Sequence, residues 1–208
     1  MYIRNSLLIL VLSFITQTVY GAKNNLNTCV AWEEKLNDFE PEKFPKTNNL
    51  LRKPGQIPIS CGKRVVVKGK LVDENCVPIS DAKVFIWHVG CDGQYPYTPL
   101  RNKAQKLVKQ PPKSSNTFLG AGTTTTNNKG EFFFITIIPP ATKNGPSSAQ
   151  LRFTHHRLGK FETQLNFNSS TDTTESEEFA SYDSSLAKGS LVREFKIVAP
   201  WEQKLKSF

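Results

Sequence analysis

Residues 65–97, VVVKGKLVDENCVPISDAKVFIWHVGCDGQYPY, decide how the rest of the sequence is read. Val65, Val67, Gly69 and Leu71 alternate with Val66, Lys68, Lys70 and Val72, and Asp73-Glu74-Asn75 ends the run with turn formers. Ala82, Val84, Ile86 and His88 then alternate with Lys83, Phe85, Trp87 and Val89. Gly90 and Gly93 break this second strand just before Tyr95, so the stretch predicts two strands followed by a loop that presents Tyr95 and Tyr97.

The sequence on either side extends this pattern. A β-branched run at residues 123–126 is followed by the turn signal Asn127-Asn128-Lys129-Gly130 and by EFFFITII at residues 131–138, which reads as a strand buried on both faces. Residues 149–155 (AQLRFTH) and 160–167 (KFETQLNF) alternate as strands around Leu158-Gly159, and residues 191–198 (LVREFKIV) supply a last one. Short strands separated by turns predict an all-β antiparallel sandwich.

Upstream of the unit, residues 30–39 (VAWEEKLNDF) place Trp32 and Leu36 four apart, the spacing of a short helix. Pro41, Pro45, Pro54 and Pro58 then predict an extended arm over residues 40–60. Residues 98–117 form a basic, Pro- and Ser-rich connection, and loops of that length are usually functional or mobile.

The first residues have the form of an export signal, with Arg4, an apolar run at residues 7–15 and a small-residue exit at Gly21 and Ala22. That run is too short to span a bilayer. The expected organisation is a signal peptide at 1–21, a helix and Pro-rich arm at 22–60, a β-sandwich at 61–199 and a basic tail at 200–208. The expected address is periplasmic or extracellular. Four cysteines agree with it, since disulfides persist in oxidising compartments.

Their spacing fits no zinc pattern. Cys61 enters the first strand and Cys91 leaves the second, at the same end of the unit, which favours Cys61–Cys91 and Cys29–Cys76 among the three possible pairings. Oxidised cysteines leave no thiol nucleophile.

The formal net charge of +9 is spread along the chain, with no aromatic-interleaved basic stripe, so nucleic acid is not an expected partner. A solvated surface, or contact with anionic lipid or an envelope polymer, accounts for it. Asn168-Ser169-Ser170 has the form of a glycosylation acceptor in a eukaryotic secretory host.

Taken together, residues 54–198 resemble the catalytic domain of the intradiol ring-cleavage dioxygenases, the family of protocatechuate 3,4-dioxygenase and catechol 1,2-dioxygenase. The resemblance is carried by Val67 to Asp73, by VPISDAKVFIW at residues 77–87, by Gly93-Gln94-Tyr95 eight residues after Trp87, and by GEFFFITIIP at residues 130–139. It implies a sandwich fold and, in the family, a ferric ion held by two tyrosinates and two histidines, a hard anionic set suited to Fe(III).

Tyr95 stands at the first tyrosinate position. The second would fall at Thr142, and the two histidines at Gln150 and Arg152, where a carboxamide is a poor iron ligand and a guanidinium cannot be one. His155 and His156 follow on the same strand, and strand parity puts His156 on the face of Gln150 and Arg152. A rebuilt site from Tyr95, Tyr97 and His156 would need a further ligand.

The expectation is therefore an exported, intradiol-dioxygenase-like protein without its ferric site and without a cofactor. It would bind a small molecule or envelope component, with Tyr97, Gln150 and Arg152 as candidate binding residues. The alternative is an Fe(III) dioxygenase of catechol-type aromatics with a remodelled site. Tyr95 and Tyr97 as simple closers of the loop mouth, Trp87 as a packing residue, and His88 as an ordinary surface or turn histidine are the structural readings of the same residues.

Overall fold

A computed structural model gives the fold for residues 29–37, 39–58, 60–99, 117–141, 145–167 and 190–200. The stretch 1–21 expected as a signal peptide, most of the 98–117 connection, Thr142, the Asn168 motif and residues 201–208 lie outside the described residues.

Seven strands form the described domain: β1 Arg64–Val72, β2 Lys83–Trp87, β3 Ala121–Thr125, β4 Glu131–Ile137, β5 Ser148–His155, β6 Gly159–Asn166 and β7 Leu191–Val198. They make two sheets, a smaller one in the order β4-β1-β7 and a larger one in the order β3-β2-β5-β6. β1 runs antiparallel to β4 and parallel to β7, while the pairings of the larger sheet are all antiparallel. The alternation read from the sequence sends Val65, Val67 and Leu71 inward against Val84, Ile86, Leu151, Phe153 and Leu165 of the other sheet. Phe132 of the small sheet meets Phe153 of the large one edge-on, with ring centroids 5.6 Å apart.

Local chemistry sets the turns. Between β1 and β2, the Asp73 carboxylate accepts from the backbone N–H groups of Asn75 and Val77, both at 2.9 Å. Between β3 and β4, the Asn127 side chain accepts from Lys129 N and Glu131 N, and Gly130 sits at φ +73° with its Cα close to the Leu71 carbonyl, where a Cβ would not fit. β4 is buried mainly on one face: Phe132 and Phe134 are covered, whereas Phe133 and Ile135 are half-buried. The arm reaches β4 along its edge and leaves its outward face partly open.

The expected helix at 30–39 is absent: the described residues of that stretch are irregular, with a turn at Phe39. Trp32 N donates to Val198 O and Lys35 N to Glu162 O, both at 2.9 Å. A helix of two and a half turns is marginal alone, and these sheet-edge carbonyls offer its N–H groups better partners.

From there the chain crosses the outer face of the large sheet and reaches the opposite side. Thr123 N donates to the Pro45 and Thr47 carbonyls, and Ile135 exchanges hydrogen bonds with Asn48 O and Leu50 N. The arm thus straps both openings of the sandwich, β6/β7 on one side and β3/β4 on the other. Two disulfides, Cys29–Cys76 and Cys61–Cys91, pin it near its two ends, in the pairing that the strand ends favoured.

Candidate functional site

Cross-strand register places Phe85 opposite Arg152, Trp87 opposite Gln150, and Arg152 opposite Glu162. These five side chains therefore share the outer face of the large sheet, the face crossed by the arm. Arg152 is the centre of the cluster. Its Nε donates to Glu162 Oε1 at 2.6 Å, and its NH2 group pairs with the Glu40 carboxylate from the arm. The guanidinium lies over the Trp87, Phe44 and Phe85 rings, 5.2–5.9 Å from their centroids. Glu162 also receives Lys160 Nζ at 2.7 Å. The anions that Arg152 faces are the protein's own carboxylates.

Phe39, the residue before Glu40, stacks on Tyr95 at 5.2 Å, and Tyr95 lies 5.5 Å from Tyr97. The Tyr97 hydroxyl donates to Phe39 O at 3.1 Å. Consecutive arm residues thus contact the tyrosine loop and Arg152, which brings Tyr95, Tyr97 and Arg152 under one cover. Burial pushes the Tyr95 phenol up from its ordinary pKa, offset in part by a hydrogen bond with the Asn37 side chain. Tyr97 is pushed well above, by burial first and then by Tyr95. Both are neutral phenols at physiological pH.

Gln150 is buried beside Trp87, and its Oε1 and the indole Nε1 both lack hydrogen-bond partners. His156 is elsewhere. It sits exposed in the turn after β5, six residues beyond Gln150 or about 20 Å along a strand. Parity gave it the right face but the wrong end. Its ring instead lies against His155, centroids 4.1 Å apart.

His88 is fully buried rather than at the surface or in a turn. Its Nδ1–H donates to Val89 O and its Nε2 accepts from the Thr136 hydroxyl, both at 2.7 Å. Desolvation lowers its pKa to about 4, against a raising contribution from the Val89 bond. It is a neutral packing histidine, not a ligand facing Tyr95. Among the described residues, no group of three or more His, Cys, Asp or Glu side chains converges where it could hold a metal ion.

Sequence reasoning missed Glu40, Phe44 and Glu162. Glu162 had a signal, because folding the 149–167 hairpin about Leu158-Gly159 sets Arg152 opposite an acid. Glu40 and Phe44 had none, because an arm of irregular backbone carries no periodicity to say where it docks.

A scan of the sequence against protein-family models finds no match. The chain is 44% identical over 142 residues to a Rickettsia felis protein named "Putative dioxygenase", covering 68% of each. It is 41% identical over 158 residues to one of the same name from Rickettsia bellii, covering 74% of this chain and 76% of the relative. Among solved structures, an intradiol ring-cleavage dioxygenase from Tetranychus urticae superposes with a TM-score of 0.57 at 23% identity, over 83% of this chain and 95% of that one. Catechol 1,2-dioxygenase from Acinetobacter sp. ADP1 does so at 0.56 and 15%, over 81% and 62%. At these identities the structural likeness concerns the fold.

Proposed function

The chain belongs to a divergent branch of the intradiol ring-cleavage dioxygenase-like family, and on that premise we propose that it is an exported binding protein that has kept the scaffold without the ferric chemistry. One observation carries the reading. Arg152, where the resemblance expects an iron-binding imidazole, is a guanidinium clamped between Glu40 and Glu162 on the Trp87 ring. A fixed cation there opposes a metal ion electrostatically, and a protonated guanidinium has no lone pair to donate.

The neighbouring groups do not fit the ion either. Gln150 offers only a carboxamide oxygen, and Phe39 stacks on the Tyr95 ring. The overlapping disulfides support an oxidising address, and no helix of the described residues is long and apolar enough to cross a membrane. In this reading the scaffold serves to bind a small molecule or an envelope component, while the arm closes the face that a ferric site would need open.

The names of the rickettsial relatives and the retained Tyr95 favour a second reading, an Fe(III) dioxygenase acting on catechols. Metal content and colour separate the two. The expected result is colourless protein, below about one-tenth iron per chain after reconstitution with ferric salt, that consumes no oxygen with catechol. Stoichiometric iron with a tyrosinate-to-iron charge-transfer band in the visible, lost in Tyr95→Phe, would overturn the proposal.

A further inference from the structure

On the side of the molecule where the arm straps β6 to β7, it leaves a solvent-open cleft of about 260 Å³ lined by Trp32, Glu33, Lys35, Gln164, Asn166 and Phe195, among others. We propose that this cleft binds one pyranose unit of a glycan chain. The cleft lies at the β6 edge, its lining includes neither Tyr95 nor Arg152, and the inference stands whether or not the chain binds iron.

The walls are rigid. Trp32 N bonds to Val198 O, Lys35 N to Glu162 O, and the Thr163 hydroxyl donates to Glu33 O, each at 2.9 Å. Cys29–Cys76 fixes the chain three residues before Trp32. A site so held is ordered before ligand arrives, which reduces the entropy lost on binding.

The lining matches the two sides of a sugar. Trp32 and Phe195 are only partly buried against the core, so each keeps ring surface for the C–H face of a pyranose. Gln164 uses its Nε2 on the Ser148 hydroxyl at 2.6 Å, which leaves its carbonyl oxygen as an acceptor for a sugar O–H. Lys35 and Glu33 form an open pair, 3.8 Å apart and 44% and 81% exposed, so the ammonium can donate to ring oxygens and the carboxylate can accept from hydroxyls.

Size and charge exclude other ligands. The volume is below the roughly 300–1,000 Å³ of a drug-sized pocket and is right for a single ring. Among the described residues of the lining Lys35 is the one cation, and it is paired with Glu33, so a phosphate or polyanion has no particular claim. A flat aromatic compound would give the Gln164 carbonyl no hydrogen-bond donor.

The test uses the oxidised full chain and two probes, the β-1,4-linked tetramer of N-acetylglucosamine and cellotetraose, titrated by calorimetry. At least one should bind with a Kd of about 0.1–1 mM, weakened about tenfold or more in both Trp32→Ala and Gln164→Ala and unchanged in Lys70→Ala. Because Trp32→Ala can loosen the arm, Gln164→Ala carries the decision. Neither sugar binding below about 10 mM, or an affinity that Gln164→Ala leaves unchanged, overturns the proposal.

Discussion

Arg152 sits between two carboxylates that are themselves shielded, Glu162 with 3% and Glu40 with 13% of its side chain exposed. Replacing it with Met leaves Glu40 without its cation and Glu162 with Lys160 alone, and breaking a shielded pair in this way costs about 3–5 kcal/mol. Glu40→Gln removes one charge, keeps a hydrogen-bonding group on the arginine and should cost about 1–2 kcal/mol. Urea unfolding of the oxidised chain checks the order; equal losses would mean that Arg152 does not depend on the pair.

His88 gives a pH signature. Its folded pKa, about 4, lies below its ordinary value of 6.5, so between those limits the unfolded chain binds the extra proton. The contribution is complete above pH 6.5, falls as the pH drops towards 4, and amounts to about 3 kcal/mol over the window. His88→Gln should flatten that part of the stability curve; profiles that run parallel to the unsubstituted protein's would refute it.

At the level of the elements, β1 and β4 meet through one missing side chain. Gly69 pairs with Phe132, and a methyl group at Gly69 would fall inside the Phe132 ring. Gly69→Ala should therefore cost about 1–3 kcal/mol, and combining it with Phe132→Leu should recover part of the loss. Purely additive destabilisation in the thermal midpoints would count against the contact. The strands were the legible part of this molecule, because alternation, turn formers and Gly130 all report local geometry that the tertiary structure keeps. The segment at 30–37 was misread for the opposite reason. Its Trp32–Leu36 spacing suits a helix, yet Leu36 is exposed and the backbone is claimed by Val198 and Glu162. Tyr95 and Arg152 could be named from motif and parity, but the groups that fill the space between them come from a segment whose sequence does not say where it lies.

For the molecule as a whole, the arm and its two disulfides form the covalent frame. Cys29–Cys76 spans 47 positions, and in the chain-entropy account a loop of that length stabilises by about 4 kcal/mol. The double replacement Cys29→Ala, Cys76→Ala should lose stability of that order and should quicken hydrogen exchange at the Trp32 and Lys35 amides first, since their partners Val198 and Glu162 then hold the strap alone. Unchanged exchange at those two amides would show that the strap holds without the crosslink.

The two crosslinked intervals also overlap, because Cys61 lies between Cys29 and Cys76. The most exposed stretch of the arm, residues 52–57, falls inside the first interval and before the second begins. A protease that cuts there severs the chain without freeing either piece, since Cys29 still ties the upstream fragment to Cys76 and the downstream one remains the sandwich. A nicked molecule would run as one band until a reductant is added, and its arm would stay on the tyrosine loop and Arg152. In a compartment with extracellular proteases, damage at the most accessible backbone of the arm would leave the protein in service.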